Sequence, residues 1–274
     1  MLWDSHVHTT FSGDGKASPE EQLDRAVALG LPGLTFTDHT DYDFPPVPEN
    51  EKFNPDYFKF DSSEYWAKLP VLKEANRERM KLLIGVELGM QLSSIDKNRA
   101  FLAENEYDFV IGSIHVVDRM DPYFGSYWDR FSSPEDGIRR YFTVMLENLE
   151  AFSDFDSLGH LDYIARYVKD PGFSYNYSDY LDLIKEILSF LIRHGKALEL
   201  NTGGFRSPLG DSNPTEALVA LYHDMGGRLI TVGSDAHYTK HLGLCFDRAE
   251  RILKSSGFKE YMVFKDRDPV TLPL

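Results

Sequence analysis

Near its start the chain places two histidines two residues apart, in Asp4-Ser5-His6-Val7-His8, directly after Met1-Leu2-Trp3. A short apolar strand is expected to deliver both at its end. On an extended backbone residues i and i+2 share a face, so His6 and His8 can converge on one ion while Val7 points away. Comparable residues recur wherever another apolar run stops: His39, Glu87, His115, His160, Asn201, then Asp235 and His237. Six of the nine histidines lie at such ends. The others, His194, His223 and His241, lie in or beside helical stretches, where a helix C-terminus or a solvated face accounts for them. Imidazoles and carboxylates without cysteine suit zinc, manganese or ferrous iron, and several carboxylates point to more than one ion. Clustered cations activate water and neutralise the charge that develops in a displacement, so metal-assisted hydrolysis is the first class to consider. An amide or lactone hydrolase would use similar donors, so the donors alone do not choose the substrate.

Apolar strands alternating with amphipathic segments must position these groups. Strands are expected over 34–37, 82–86, 109–114, 157–160, 197–201 and 229–233, besides the first. Helices are expected from the capping box Ser18-Pro19-Glu20-Glu21 to Gly30, over 63–79 and 95–105, and from Ser133-Pro134-Glu135-Asp136 to 152. Further helices are expected over 180–194, from Asn213-Pro214-Thr215-Glu216 to 225, and over 246–255, before a short tail strand. Two aromatic-rich stretches, 42–60 and 120–131, read as loops. Strand then helix, seven times, argues a parallel sheet with helices outside it. In a (β/α) barrel the functional groups collect at the C-terminal ends of the strands, where the variable loops meet.

At 274 residues, 42% of them apolar, the chain is long enough for one large α/β domain, expected over 1–274. No apolar run approaches the roughly 18–20 residues of a membrane span, and the N-terminus lacks a signal-peptide pattern, so a cytoplasmic protein is expected. Cys245 is the only cysteine, which excludes a disulfide framework and a thiolate metal cluster. A formal charge of -15 argues against sequence-independent nucleic-acid binding. It does not oppose a small anionic substrate, because bound cations invert the local field. The oligomeric state is left open.

His6-Val7-His8, Thr37-Asp38-His39, Gly85-Val86-Glu87, Ser113-Ile114-His115, Gly159-His160-Leu161-Asp162 and Ser234-Asp235-Ala236-His237 resemble, in order, the motifs of the polymerase and histidinol phosphatase (PHP) family. The stretch 198–202, with Phe205-Arg206 and with Arg166 beyond His160, is similar to the phosphatase members rather than the polymerase-linked ones. The resemblance implies a distorted (β/α)7 barrel holding two or three divalent transition-metal ions. Carried over, His6, His8, Glu87 and Asp235 hold one ion, and Glu87 bridges to a second that His115 and His160 complete. His39 and His237 hold the third, with Asp14 where many relatives have histidine, an oxygen donor that favours harder metals such as manganese.

The activity implied is attack of metal-activated water on a small phosphate monoester, L-histidinol phosphate above all, a step of histidine biosynthesis. Asp38 and Asp162 adjoin ligands and are candidates to orient imidazoles, Asp162 also to protonate the leaving alcohol. Arg166 and Arg206 are the candidate phosphate clamp, since a guanidinium fork matches phosphate oxygens. Phe44, Tyr123, Phe124, Tyr127 and Trp128 are candidates to cover the leaving group, with Tyr123 and Trp128 taken as substrate contacts. The alternatives are a related phosphoesterase acting on a nucleotide or phosphotyrosine, and a non-catalytic metal-binding module.

Overall fold

A computed structural model describes residues 1–47, 50 and 52–274. Seven strand positions make the parallel sheet: β1 (Asp4–Val7), β2 (Leu34–Phe36), β4 (Leu82–Gly89), β5 (Phe109–Ser113), β6 (Ser157–Leu158), β7 (Ala197–Asn201) and β8 (Ile230–Gly233), hydrogen-bonded in that order. A two-residue strand, β3 (His39–Thr40), continues β2 after a break and pairs with β4, setting His39 opposite Glu87. A parallel bridge from Val7 to Ala236 brings the last strand end back to the first, which makes the distorted (β/α)7 barrel. The strands read as continuous apolar runs because both faces are covered; every residue of β4, for example, is buried.

Helices α1 (Pro19–Leu29), α2 (Ser62–Ala75), α3 (Ile95–Glu104), α4 (Gly125–Trp128), α5 (Pro134–Ala151), α6 (Leu181–His194), α7 (Glu216–Asp224) and α8 (Phe246–Ser255) fill the crossovers and the last connection. Local chemistry sets the ends of α1. Ser18 accepts from the Glu21 backbone while Glu21 accepts from Ser18, and Gly30 closes the helix at φ 69°, in the left-handed region. The second helix is shorter than its periodicity predicts. It stops at Ala75, where Asn76 donates its side-chain amide back to the Leu72 carbonyl and residues 76–79 form turns. Both aromatic stretches contain short helical turns, Pro55–Phe58 and Gly125–Trp128.

The tail is a hairpin rather than one strand. Strands β9 (Glu260–Lys265) and β10 (Asp268–Pro273) pair antiparallel about the two-residue turn Asp266-Arg267, whose φ values of 53° and 68° suit the right-handed strand twist. That turn lacks the Asn-Gly or Asp-Gly signal, so no hairpin is readable in the sequence. Met262 and Phe264 pack with Phe109, Ile111 and Ala197, beneath the strand starts. Arg267 pairs with Asp156 at 2.6 Å and Asp154 at 3.0 Å. Phe264→Ala would leave a cavity against the Phe109 ring, whose centroid lies 5.3 Å away. A loss of about 3–5 kcal/mol is expected in urea unfolding. Metal content and kcat/KM of the folded fraction should not change; a large catalytic loss would show that the hairpin does more than close the barrel base.

Among the described residues, no helix is long and apolar enough to cross a membrane.

Candidate metal centre

The strand ends bring their donors to one place. The first strand covers residues 4–7, not 1–3, so His6 lies within it and His8 just beyond; Leu2 and Trp3 are buried ahead of it. Nε2 of His6 lies 3.0 Å from Nε2 of His8, and these atoms lie 3.3 and 3.4 Å from Oε2 of Glu87. Asp235 Oδ1 is 3.3 Å from His8 Nε2 and 3.9 Å from His6 Nε2. The other Glu87 oxygen, Oε1, faces Nε2 of His115 at 3.3 Å and of His160 at 2.9 Å. Glu87 thus turns one oxygen to each of two imidazole pairs, the geometry of a bridging carboxylate. Asp14 repeats the device beside them, with Oδ1 at 2.9 Å from His39 Nε2 and Oδ2 at 3.1 Å from His237 Nε2. His8, His39 and His237 also converge closely enough to share an ion, which puts His8 between the first and third sets.

These separations fit metals. Ligand atoms of a tetrahedral ion with bonds of about 2.0–2.2 Å stand roughly 3.3–3.6 Å apart. Two buried imidazole nitrogens 3.0 Å apart also need a shared proton or cation between them. On the far side of the rings, His6 Nδ1 meets Glu199 at 2.6 Å, His8 Nδ1 meets Ser12 Oγ at 3.0 Å, and His237 Nδ1 meets the Asp235 carbonyl at 3.2 Å. His39 and His115 both turn Nδ1 toward Asp41. Such outer partners fix the tautomer that leaves Nε2 free to ligate. His160 differs: among the described residues its Nδ1 has no hydrogen-bond partner, while its backbone N–H donates to Glu199. His160 and Asp235 adopt φ of 20° and 53°, in the left-handed region that few non-glycine residues enter.

The electrostatics follow from burial set against pairing. Burial opposes charge on His39, yet Asp14 and Asp41 push it up to about 10. His8, buried and beside His237 and His6, is pushed down to about 3. Glu87 and Asp235 are buried but held well below the usual carboxylate range by the surrounding imidazoles. Glu87 and Asp235 therefore keep their negative charge despite burial, and His8 stays neutral, as ligands of a cation must.

A cavity of about 440 Å³ opens over the cluster, lined by Asp14, His39, Asp41, Glu87, His115, His160, Asp235 and His237. Phe44, Phe53, Phe58, Asp121, Tyr123, Phe124, Tyr163, Arg166 and Tyr167 line it too. The Arg166 guanidinium lies 4.9 Å from the ring centroids of both Tyr163 and Tyr167 and donates to the Tyr167 hydroxyl. The Asp235 carboxylate favours its charge, and Asp121 lines the same cavity.

Several expected site residues point elsewhere. Arg206 donates to the carbonyls of Ser234 (2.8 Å) and Asp235 (3.0 Å) and is not part of the cavity wall; it braces the loop that carries Asp235. Trp128 is also off the wall: its Nε1 donates to the Pro122 carbonyl and its ring lies over Gly137. Tyr127 is fully buried, donating to the Gly137 carbonyl. Asp162 accepts from Asn213 and Thr215 and is buried away from the cavity, which leaves its carboxyl no path to a leaving group. Asp38 binds the Thr9 and Ser12 backbones and hydroxyls instead of an imidazole, and so orients His8 only through Ser12. Asn201 steers Glu199 rather than facing an ion. Asp41, Glu199, Ser12 and Ser113, which donates to Glu87 at 2.6 Å, support the cluster; Asp41 and Ser12 lie two and four residues from the histidines they hold, His39 and His8, whereas Glu199 and Ser113 act on ligands distant in sequence.

A model of the PHP domain matches residues 4–203. The chain belongs to the PHP family. Within this family, a histidinol-phosphatase of Lactococcus lactis is 30% identical over 95% of this chain and 93% of its own length. A probable histidinol-phosphatase of Clostridium acetobutylicum is 34% identical over 94% of this chain and 95% of its own. A crystal structure of the Lactococcus lactis histidinol phosphate phosphatase, complexed with zinc, L-histidinol and phosphate, covers 98% of this chain and all of its own at a TM-score of 0.88.

Proposed function

We propose that this PHP-family chain is a metal-dependent phosphatase that hydrolyses L-histidinol phosphate to L-histidinol and inorganic phosphate. One observation carries the reading: a single cavity is lined both by a cluster of imidazoles and carboxylates and by the half-buried guanidinium of Arg166, held against two tyrosine rings. Anion recognition and metal ligation in one cavity suit a phosphate ester better than an amide or lactone. When bound, divalent transition-metal ions, zinc among them, activate water and neutralise charge on the phosphoryl oxygens.

The protein's own groups do the rest. His6, His8, Glu87 and Asp235 form one ligand set, Glu87 with His115 and His160 a second, and His39, His237 and Asp14 a third. Arg166 holds the phosphoryl group with its planar fork, fixed in direction by the two tyrosines. Arg206 acts at one remove, keeping the Asp235 backbone in place. Phe44, Tyr123 and Phe124 cover the cavity, exclude water and offer flat surfaces to an imidazole-bearing alcohol. Among close relatives, the similar enzymes bear the name of this activity over nearly their whole lengths. Cytoplasmic residence and a place in histidine synthesis belong to the same reading.

The test is a comparison of kcat/KM for L-histidinol phosphate, p-nitrophenyl phosphate, a nucleoside monophosphate and phosphotyrosine on one preparation of known metal content. L-histidinol phosphate should lead, and Phe124→Ala should raise KM for it more than for p-nitrophenyl phosphate. A preference for the nucleotide or for phosphotyrosine would overturn the substrate assignment.

A further inference from the structure

Asp41 is the one carboxylate, among the described residues, that holds the outer nitrogens of two ligand histidines belonging to different ion sets. It is 1% exposed. Oδ1 and Oδ2 lie 2.9 and 3.1 Å from His115 Nδ1, and Oδ2 lies 3.2 Å from His39 Nδ1. Through Nε2, His115 faces Glu87 and His39 faces Asp14. The other outer partners are separate: Glu199 for His6, Ser12 for His8, the Asp235 carbonyl for His237.

We propose that Asp41 is a positioning residue that couples the second and third ion sites, fixing through one carboxylate the ring orientation and ligating tautomer of both His115 and His39. The inference rests on the metal-centre reading above. An acceptor shared by two N–H donors cannot relax toward one ring without loosening its hold on the other, so filling one site pre-orients the ligand of its neighbour. The fold reserves space for this. A Cβ on Gly89, the last residue of β4, would stand 1.8 Å from Asp41 Oδ1 and 2.4 Å from its Cγ. Gly89 has no positive φ, so its role is room for the Asp41 carboxylate rather than backbone freedom.

The test is zinc binding at equilibrium, in metal-buffered solution, for the wild type, Asp41→Asn, Asp41→Ala, Gly89→Ala and Ser12→Ala. Wild type should bind more than one zinc; a wild type that binds none would sink the metal-centre reading itself. Given binding, Asp41→Ala should weaken two zinc sites by roughly 10- to 100-fold each while sparing the His6–His8 site. Asparagine, nearly isosteric and with a single acceptor oxygen, should weaken them less. Gly89→Ala should reproduce the alanine pattern with Asp41 still present, and Ser12→Ala should not. A merely structural Asp41 would instead lower the melting temperature of the metal-free protein and leave zinc affinities unchanged. Wild-type zinc affinities in Asp41→Asn and Asp41→Ala would overturn the proposal, as would an equal loss at every site. Should Gly89→Ala fail to fold, the two Asp41 variants decide alone.

Discussion

Glu87→Gln is expected to lower kcat/KM for phosphate release by about 10³-fold or more, roughly 4 kcal/mol of transition-state stabilisation. The carboxylate turns Oε2 to His6 and His8 and Oε1 to His115 and His160, so it serves two ion sets at once. An amide keeps the shape but removes the charge and one of the two ligating oxygens. Metal analysis of the variant should find at least one ion fewer per chain. Because Ser113 still has an oxygen to meet, the fold should survive, and the melting temperature of the metal-free variant reads that separately. A Glu87→Gln protein with near-wild-type rates and full metal content would remove the bridging role.

The second large effect falls on Arg166. Arg166→Ala should cost on the order of 2–4 kcal/mol, or roughly 30- to 1,000-fold in kcat/KM, with metal content intact. Arg166→Lys should rescue only part of it, since lysine restores charge without the fork and without the stacking on Tyr163 and Tyr167. Arg206→Ala makes the informative contrast. Its guanidinium binds two carbonyls of the Asp235 loop, so its loss should appear as weakened metal retention and be partly offset by added metal. If Arg166→Ala stays within about threefold of wild type, phosphate is held by the ions alone.

Much of the barrel was legible because a buried parallel strand writes itself as an unbroken apolar run, and the ends of such runs are where loops and ligands meet. The expected positions of His6, His8, His39, Glu87, His115, His160, Asp235 and His237 needed only that rule. Asp14 sits in a turn-like composition, Ser12-Gly13-Asp14-Gly15, and only the fold shows it between His39 and His237. Direction was the harder part. Adjacency to a ligand drew Asp38 and Asp162 toward the imidazoles, whereas each spends its oxygens on backbone N–H groups and side chains of neighbouring loops. Trp128 and Arg206 failed similarly: a side chain in the right loop can still point at its own scaffold. Glu199 acts on His6 across 193 residues and Asp41 on His115 across 74, separations that carry no local pattern, although Asp41 is only two residues from His39.

The central claim is that this chain turns over L-histidinol phosphate through a protein-held metal cluster. Its most direct test is phosphate release from that ester by protein of measured metal content, before chelation, after it, and after zinc or manganese is restored. More than one transition-metal ion per chain, loss of turnover on chelation and its recovery on readdition are the expected results. Full turnover by metal-free protein would contradict the account.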